Sequence, residues 1–354
     1  MKNNLIGAFN SNTSITEDGS VYVGSPQCIS NWDVNTRDHL SSILQYGYDE
    51  SVADAECRTG TFARKVFGVM RKHDCSRNFP ILSMRKAFFR GAVEEFIWMF
   101  AHGDTNILYL LENNINFWTE WPWKKYCNEV EDITIEDFTK GLKSGAIDRR
   151  HGDCGPLYGE QFRNKLHYTG ELAVDHEDED VVEAFNFDQY AQVVKRLMDA
   201  PLCRRTIVAN WSPTEISEMI LAPCHGNMIQ FNASNIDGEW YLDLNQVQRS
   251  QDTYYGEIIN SPFYAILLHV TAKLTGMKPR MLNQTINNAH IYNNQFAAVE
   301  ELLDRPVQNQ DEADHCQFEF LGETLEDMFN PELYKLSGYI PLTYPMKNNP
   351  DIAI

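Results

Sequence analysis

The segment over residues 260–276 constrains the fold of this chain most strongly. Ser261 is a suitable N-cap, Pro262 suits the first position of a helix, and Gly276 suits its end. The apolar residues between these signals recur at helical spacing and are expected to face a core: Phe263, Ile266, Leu267 and Val270. The pattern predicts a helix over 262–275 that other elements bury.

The remaining chain alternates between strand-like and helical segments of mixed order, which predicts an α+β fold. A helix is expected over about 86–101, followed by a break at 103–106. Strands are expected to begin at Thr206 and near Cys224, and the segment 235–238 is typical of a hairpin turn. The length of 354 residues suits one large domain or two ordinary ones.

Composition excludes several classes of function. The net charge of −20 argues against nucleic acids and anionic membranes as partners. We find no segment that is apolar and long enough to span a bilayer, and the first twenty residues do not resemble a signal peptide. We therefore expect a cytoplasmic protein, in the host cytoplasm if the chain is viral. The eight cysteines form no C-x-x-C pair, so neither a disulfide framework nor a metal site is expected.

Cys224 is the candidate nucleophile. Pro223 restricts the backbone before it, His225 follows it, and Gly226 leaves space beside it. A thiol held where a strand begins becomes a strong nucleophile when a nearby cation stabilises the thiolate. The alternative is a small buried apolar residue, which is the commoner role of a lone cysteine.

Arginines are expected to gather at one place, because an anionic substrate must be bound by a chain of strongly negative charge. The hairpin turn returns Arg249 to the neighbourhood of Cys224, where its guanidinium favours a thiolate and can bind a phosphate. Arg204 and Arg205 are adjacent at a strand start, so they serve one polyanion only if the backbone is irregular, or they serve a partner subunit. Solvent-exposed loop charges are the alternative for these two and for Arg58.

Two further residues have side chains suited to acid–base chemistry or base recognition. Glu95 lies on an apolar helical face, where burial raises the pKa of a carboxylate and suits it to proton transfer. The alternative is a buried glutamate that caps a neighbouring backbone segment. Asn260 precedes the expected helix cap, and its amide matches the N3–H and O4 edge of uracil.

Aromatic residues and turns complete the candidate site. Trp118 and Trp121 form either part of a core or the wall of a site for a flat ring system. A Gly/Pro-rich turn presents Tyr158, and the apolar C-terminal residues 352–354 are able to fold over a site.

An ordered set of motifs over about residues 58–354 resembles the thymidylate synthase family. In chain order the motifs are Arg58-Thr59-Gly60-Thr61, Phe79-Pro80-Ile81-Leu82, Glu94-Glu95-Phe96-Ile97-Trp98, Gly103-Asp104-Thr105-Asn106, Gly155-Pro156-Leu157-Tyr158-Gly159, Arg204-Arg205, Ala222-Pro223-Cys224-His225, Gln248-Arg249-Ser250-x-Asp252 and His290-Ile291-Tyr292.

The resemblance implies a single-domain fold with a bent mixed β-sheet at a homodimer interface and flanking helices. On this basis residues 1–50 are an N-terminal arm or extension, and 51–354 are the catalytic domain with insertions at about 124–150 and 170–185. The implied reaction transfers a one-carbon unit from 5,10-methylenetetrahydrofolate, a co-substrate, to C5 of dUMP. No metal is implied.

The resemblance also implies a role for each matching residue. Cys224 attacks C6 of the base, and the proton-transfer network comprises Glu95, Tyr158 and His225. The 5′-phosphate is held by Arg58, Arg249 and Ser250, and by Arg204 and Arg205 of the other subunit. Asn260 reads the base edge, and His290 and Tyr292 bind the sugar hydroxyl. The residues bordering the folate are Trp118, Trp121, Leu221, Asp252, Gly256, Ala353 and Ile354.

One segment departs from the family pattern. The family has Gly-x-Pro-Phe-Asn before its last long helix, whereas this chain has Gly256-Glu257-Ile258-Ile259-Asn260, and Tyr255 replaces a leucine. Because the changes are expected on the folate side, two outcomes stay open for the one-carbon unit. Hydride transfer gives dTMP, and attack by water gives 5-hydroxymethyl-dUMP for modified viral DNA. A non-catalytic nucleotide- or RNA-binding relative is a third alternative, although Cys224 and Glu95 are both retained.

Overall fold

The computed structural model describes residues 13–15, 21–23, 31–50, 61–174, 180–307 and 316–350. Arg58, Ala353 and Ile354, which the sequence predicts to bind ligands, lie outside the described residues, as does most of the acidic run at 175–180. Within the described ranges, no helix combines the length and apolar character needed to cross a membrane.

The described helices and strands alternate along the chain, as the sequence predicts for an α+β fold. The helices are α1 (Trp32–Tyr46), α2 (Phe89–Phe96), α3 (Leu108–Glu112), α4 (Glu120–Glu129), α5 (Ile135–Ser144), α6 (Gly159–Arg163), α7 (Gln189–Asp199), α8 (Gly256–Leu274) and α9 (Phe296–Asp304). The strands are β1 (Thr13–Ile15), β2 (Val21–Val23), β3 (Tyr48–Asp49), β4 (Ala63–Asp74), β5 (Lys165–Val174), β6 (Asp180–Phe187), β7 (Ile207–Ala209), β8 (Met228–Ile236), β9 (Glu239–Asp252), β10 (Lys278–Tyr292), β11 (Gln317–Phe320) and β12 (Tyr334–Ser337).

The main sheet has the strand order β3-β4-β10-β9-β8-β7. Strands β9 and β10 are parallel, and every other neighbouring pair in this sheet is antiparallel, so the sheet is mixed. The parallel register places Asn288 opposite Ser250 and His290 opposite Asp252. Because parallel strands end at the same edge, the residues that end β9 and β10 lie together there.

Helix α8 lies at the centre of the core, as its apolar pattern predicts. Phe263, Ile266, Leu267 and Val270 are fully buried. On the sheet face that α8 covers, alternate residues of β9 are also buried, including Leu242 and Leu244. The site described below lies where the first turn of α8 meets the ends of β9 and β10.

The predicted start of this helix is wrong. The helix begins at Gly256, so Ser261 is not its N-cap, Pro262 lies inside it, and Asn260 belongs to its second turn. Local sequence signals placed the boundary at the proline, which lacks an N–H for the carbonyl four residues earlier. The additional turn is held by long-range contacts of Glu257, described below.

Other boundaries also differ from those predicted. The helix expected over 86–101 begins at Phe89, and its last part, Ile97–Ala101, is a π-helix. Helix α1 begins at Trp32, within the segment 1–50 that the resemblance implies is an N-terminal arm or extension, and Asn31 caps it by accepting a bond from the Val34 N–H at 3.1 Å. The division of the chain at residue 50 and the two insertions stay predictions.

Candidate active site

The backbone around Cys224 is fixed by three hydrogen bonds. The Cys224 N–H donates to the Tyr158 hydroxyl at 2.9 Å, and the His225 N–H donates to the same oxygen at 3.5 Å. The Ser250 N–H donates to the Cys224 carbonyl at 3.1 Å. Cys224 is only half-buried, so its thiol is held in place without being enclosed in the core.

Gly226 has a conformation and surroundings that require glycine. Its φ is +61°, in the left-handed region, and a Cβ atom there would clash with the Tyr264 hydroxyl. That hydroxyl lies 2.7 Å from Nδ1 of His225. Burial lowers the pKa of His225 to about 3, so its imidazole is neutral at pH 7.

Arg249 contacts the candidate nucleophile directly. Its Nη2 lies 3.6 Å from the Cys224 Sγ, and the same nitrogen donates to the Ala222 carbonyl at 3.2 Å. Its Nε donates to the Pro223 carbonyl at 3.1 Å. The predicted proximity of this arginine and the thiol is therefore confirmed, and a guanidinium at this distance favours the thiolate.

Glu95 is a buried carboxylate with an incomplete set of hydrogen bonds. It is 4% exposed, and its Oε1 accepts a bond from the Trp118 indole N–H at 2.6 Å. Oε2 has no hydrogen-bond partner among the described residues. Burial raises the pKa of Glu95 to about 7, and the indole bond partly opposes this rise. The carboxyl group can therefore gain or lose a proton near neutral pH.

Tyr158 connects Glu95's neighbourhood to Cys224. Its ring lies 5.7 Å from that of Trp118 and stacks on the His225 ring at 4.5 Å. Its backbone has a φ of +36° and a ψ of −89°, which is a rare conformation for a non-glycine residue. Burial raises the pKa of Tyr158 well above its ordinary value, so the phenol keeps its proton.

The end of the sheet gathers several of the predicted binding residues. His290 is buried, with Nδ1 3.2 Å from the Asn288 Oδ1, and its ring packs edge-on against Tyr292 at 4.9 Å. The Thr253 N–H donates to the His290 carbonyl at 2.8 Å. Asp252 accepts a bond from the Gln295 amide at 2.7 Å through one carboxylate oxygen. Its other oxygen accepts bonds from the backbone N–H groups of Tyr254 and Tyr255.

Asn260 projects from α8 beside the sheet and is 9% exposed. A Cβ atom on Gly256 would lie 3.5 Å from the Asn260 Nδ2, so this glycine borders the amide. The adjacent Ser261 hydroxyl accepts a bond from the Gln284 amide at 3.1 Å. The helix backbone that carries Asn260 is thus joined to β10 at the next residue.

The two tryptophans predicted on the folate side lie together beside a pocket. The rings of Trp118 and Trp121 are 5.5 Å apart. An open pocket of about 660 Å³ is lined by Trp121, Lys124, Lys125 and Ile220, among others. Leu221 follows Ile220 in the chain and is partly buried. An aromatic wall beside an open pocket suits a flat ring system.

Arg204 and Arg205 are not in contact with the Cys224 site. Both are exposed just before β7, the last strand in the sheet order. The carbonyl of Arg204 accepts a bond from the Gln230 amide at 3.2 Å, and that of Arg205 accepts a bond from Arg196 Nη1 at 2.6 Å. These backbone bonds hold the segment and leave both guanidinium groups at the surface.

Sequence reasoning missed two residues that shape the site. Asn227 accepts a bond from the Arg249 N–H at 2.7 Å and donates to the Pro223 carbonyl at 3.1 Å. Tyr264 positions His225, as described above. The signals available were an amide close to Cys224 and a tyrosine within an apolar helix.

Comparison with known proteins agrees with this geometry. The family model described as thymidylate synthase matches residues 37–343. The chain is similar to the thymidylate synthase of Phytoplasma mali, with 35% identity over 256 residues that cover 70% of this chain and 78% of that protein. The corresponding protein of Mesoplasma florum is 34% identical over 253 residues, covering 71% and 80%. That of Malacoplasma penetrans is 33% identical over 278 residues, covering 77% and 86%.

Proposed function

Because the chain belongs to the thymidylate synthase family, we propose that it transfers a one-carbon unit from 5,10-methylenetetrahydrofolate to C5 of dUMP and releases dTMP. It is accordingly a folate-dependent pyrimidine C5 methyltransferase. The observation that carries this proposal is the 3.6 Å distance between the Arg249 guanidinium and the Cys224 sulfur.

Cys224 opens the reaction by adding to C6 of uracil. The thiolate forms the C6–S bond, and the electron pair of the C5–C6 double bond moves toward O4, which makes C5 nucleophilic. Asn260 donates its amide N–H to O4 and accepts from N3–H, and a carboxylate at this position would suit cytosine instead. Elimination later breaks the C6–S bond and restores the thiolate.

Methylenetetrahydrofolate supplies the carbon and then a hydride when it is bound, and it leaves as dihydrofolate. The chain contributes an aromatic wall for its ring system, formed by Trp118 and Trp121. Leu221, Asp252 and Gly256 are assigned to the same ligand by resemblance to the family. A site closed to water when the folate is bound favours hydride transfer over hydration. Ala353 completes this set by resemblance and lies outside the described residues.

Proton transfer is assigned to Glu95, Tyr158 and His225. The pKa of Glu95, about 7 through burial, allows its carboxyl group to relay the C5 proton at neutral pH. Tyr158 keeps its proton and fixes the backbone of Cys224, and neutral His225 stacks on it.

The nucleotide's phosphate and sugar are assigned to charged and polar groups at the end of the sheet. Arg249 and Ser250 of β9 bind the 5′-phosphate, together with Arg58, which lies outside the described residues. His290 and Tyr292 of β10 bind the sugar hydroxyl, and the parallel register places their strand beside Ser250.

Arg204 and Arg205 are proposed to reach the phosphate in a partner subunit. The sheet face opposite α8 carries side chains that are only partly buried, including Asn245 and Thr285. The adjoining strand β4 exposes 77% of Phe67. Burial of such residues against a second copy stabilises a symmetric dimer and brings the exposed arginines to a neighbouring site.

Product analysis tests the proposed reaction. Incubation with dUMP and methylenetetrahydrofolate is expected to give equal amounts of dTMP and dihydrofolate. Formation of 5-hydroxymethyl-dUMP with tetrahydrofolate would establish the hydroxymethylase alternative. Binding of dUMP without turnover by the wild-type chain would overturn the enzymatic proposal in favour of a non-catalytic binding protein.

A further inference from the structure

A buried ionic cluster lies beneath the start of α8, on the side of the helix away from solvent. Glu257, Arg71 and His39 are each at most 5% exposed. Arg71 Nη1 lies 2.5 Å from the Glu257 Oε1, and His39 Nδ1 lies 3.4 Å from Oε2. The Thr36 hydroxyl donates to the Glu257 Oε1 at 2.8 Å. A carboxylate at this depth is therefore bound from three directions.

The Glu257–Arg71 pair within this cluster is ionised despite its burial. Burial by itself would raise the pKa of Glu257, but Arg71 and the bond with His39 outweigh it and lower the pKa to about 2. Burial lowers the pKa of His39, which favours the neutral imidazole. Arg71 also lies 4.2 Å from the centre of the Trp32 ring, and its Nε donates to the Asn35 Oδ1 at 2.7 Å. The pair is thus enclosed by α1.

The cluster joins two parts of the chain in which the family pattern does not specify the residues. Glu257 occupies the unspecified position of the family's Gly-x-Pro-Phe-Asn segment, directly before Ile258 and Ile259, which differ from that pattern. The family match begins at residue 37, so Trp32, Asn35 and Thr36 precede it. The residues that enclose the ion pair therefore come from the first turn of α1, ahead of the region shared with the family.

The cluster stabilises the first turn of α8, which lacks one of the backbone hydrogen bonds of a regular helix. Pro262 has no N–H to donate to the Ile258 carbonyl, so the first turn of α8 lacks this hydrogen bond. Glu257 stands one helical turn before Asn260, and Ser261 directly follows it. Ser261 is held by Gln284, which is the cross-strand partner of Arg71. Arg71 thus holds Glu257, which precedes Asn260, and Gln284 holds Ser261, which follows it.

We propose that Glu257 is a positioning residue for Asn260: its ion pair with Arg71 sets the angle of the first turn of α8 and so the direction of the amide. The inference rests on the proposed function, in which Asn260 distinguishes uracil from cytosine. It also gives the first turn of α1 a role in substrate selection, although none of its residues touches the substrate.

The test compares Glu257→Gln with a control in α7 that removes a buried contact to the same helix, α8. Tyr190→Phe removes a buried hydrogen bond of 3.0 Å to Thr271, near the far end of α8. Glu257→Gln is expected to raise the KM for dUMP about tenfold, because small displacements of a positioned group are costly, and to lower the preference for dUMP over dCMP. It should also speed amide hydrogen exchange over residues 256–261. Tyr190→Phe should lower Tm without changing the KM or the preference.

A double variant separates positioning from simple stability. Arg71→Met combined with Glu257→Leu replaces the ion pair by apolar side chains, a change that is often neutral or stabilising. We expect this double variant to have the wild-type Tm but a lower preference for dUMP over dCMP than the wild-type chain. Recovery of both properties, or a Glu257→Gln variant with wild-type KM and preference, would overturn the positioning role.

The hydrogen-exchange measurement needs no substrate. If the wild-type chain failed to turn over dUMP, the proposed function would fail. Unchanged exchange over residues 256–261 in Glu257→Gln would independently refute the anchoring role of the cluster.

Discussion

The Nη2 of Arg249 lies 3.6 Å from the sulfur of Cys224, and the same guanidinium also binds the backbone carbonyls of the two residues before that cysteine. One side chain therefore fixes the loop that carries the nucleophile and places positive charge beside the thiol. The same group is suited to bind a phosphate, so substrate binding and thiolate formation are coupled at this position.

Removal of this guanidinium is expected to slow the chemistry of the thiol. Arg249→Gln should lower the rate of Cys224 alkylation by iodoacetamide at pH 7 about tenfold, because less thiolate is present. The rate is measured by mass spectrometry of the peptide containing Cys224. Arg280→Gln is the matched control, since Arg280 pairs with Asp243 at 2.8 Å at the opposite end of β10. An equal decrease of the alkylation rate in Arg249→Gln and Arg280→Gln would contradict the assignment of Arg249 as the group that favours the thiolate.

Glu95 is expected to make stability depend on pH. Its folded-state pKa, about 7, exceeds its ordinary value of 4.5, so the folded state binds more protons between these values. The contribution of Glu95 to the free energy of unfolding is fully present below pH 4.5. It is lost as the pH rises to 7, and the total loss is roughly 3 kcal/mol. Urea unfolding at pH 5 and pH 8 should show that Glu95→Gln stabilises the protein more at pH 8. Equal effects at both pH values would exclude a raised pKa.

Asn260→Asp should change the preferred base. An aspartate cannot donate to O4 of uracil but accepts from the amino group of cytosine. The ratio of kcat/KM for dUMP to that for dCMP should fall at least about a hundredfold. Steady-state kinetics with both nucleotides provide the measurement, and an unchanged ratio would remove Asn260 from base recognition.

Gly226→Ala should damage the site more than a comparable change elsewhere. The new Cβ would clash with the Tyr264 hydroxyl and displace its contact with His225, in addition to the strain at a positive φ. Gly145→Ala is the control, because Gly145 has a φ of +75° and no atom within 4 Å of the added carbon. Backbone strain at the positive φ alone, as in Gly145→Ala, is expected to lower the free energy of unfolding by about 1–3 kcal/mol. Only Gly226→Ala should also lower kcat, and equal activities would contradict the role of this contact.

Mixing of inactive variants tests whether arginines cross between subunits. Cys224→Ser and Arg205→Ala should each be nearly inactive alone. After subunits are exchanged in an equal mixture, half of the dimers contain one intact site, so about a quarter of wild-type activity should return. Failure to recover activity, with dimers confirmed by light scattering, would place Arg205 outside the shared site.

The sequence predicts the local parts of this site better than its long-range contacts. Arg249 could be placed beside Cys224 because a hairpin turn joins its strand, β9, to the antiparallel strand β8 that follows Cys224. The start of α8 was mispredicted because Pro262 is a strong local signal, whereas the ion pair that extends the helix joins Glu257 to Arg71, far away in the chain. The bond between Trp118 and Glu95 likewise joins two elements whose packing no periodic pattern reveals.

The central claim is that the Cys224 sulfur forms a bond with the pyrimidine ring. The most direct measurement is mass spectrometry of the chain after incubation with methylenetetrahydrofolate and 5-fluoro-dUMP, whose C5 carries fluorine in place of the removable proton. The account predicts a mass increase equal to both ligands, located on the peptide with Cys224 and absent from Cys224→Ser. An adduct on another cysteine, or none while both ligands are bound, would contradict it.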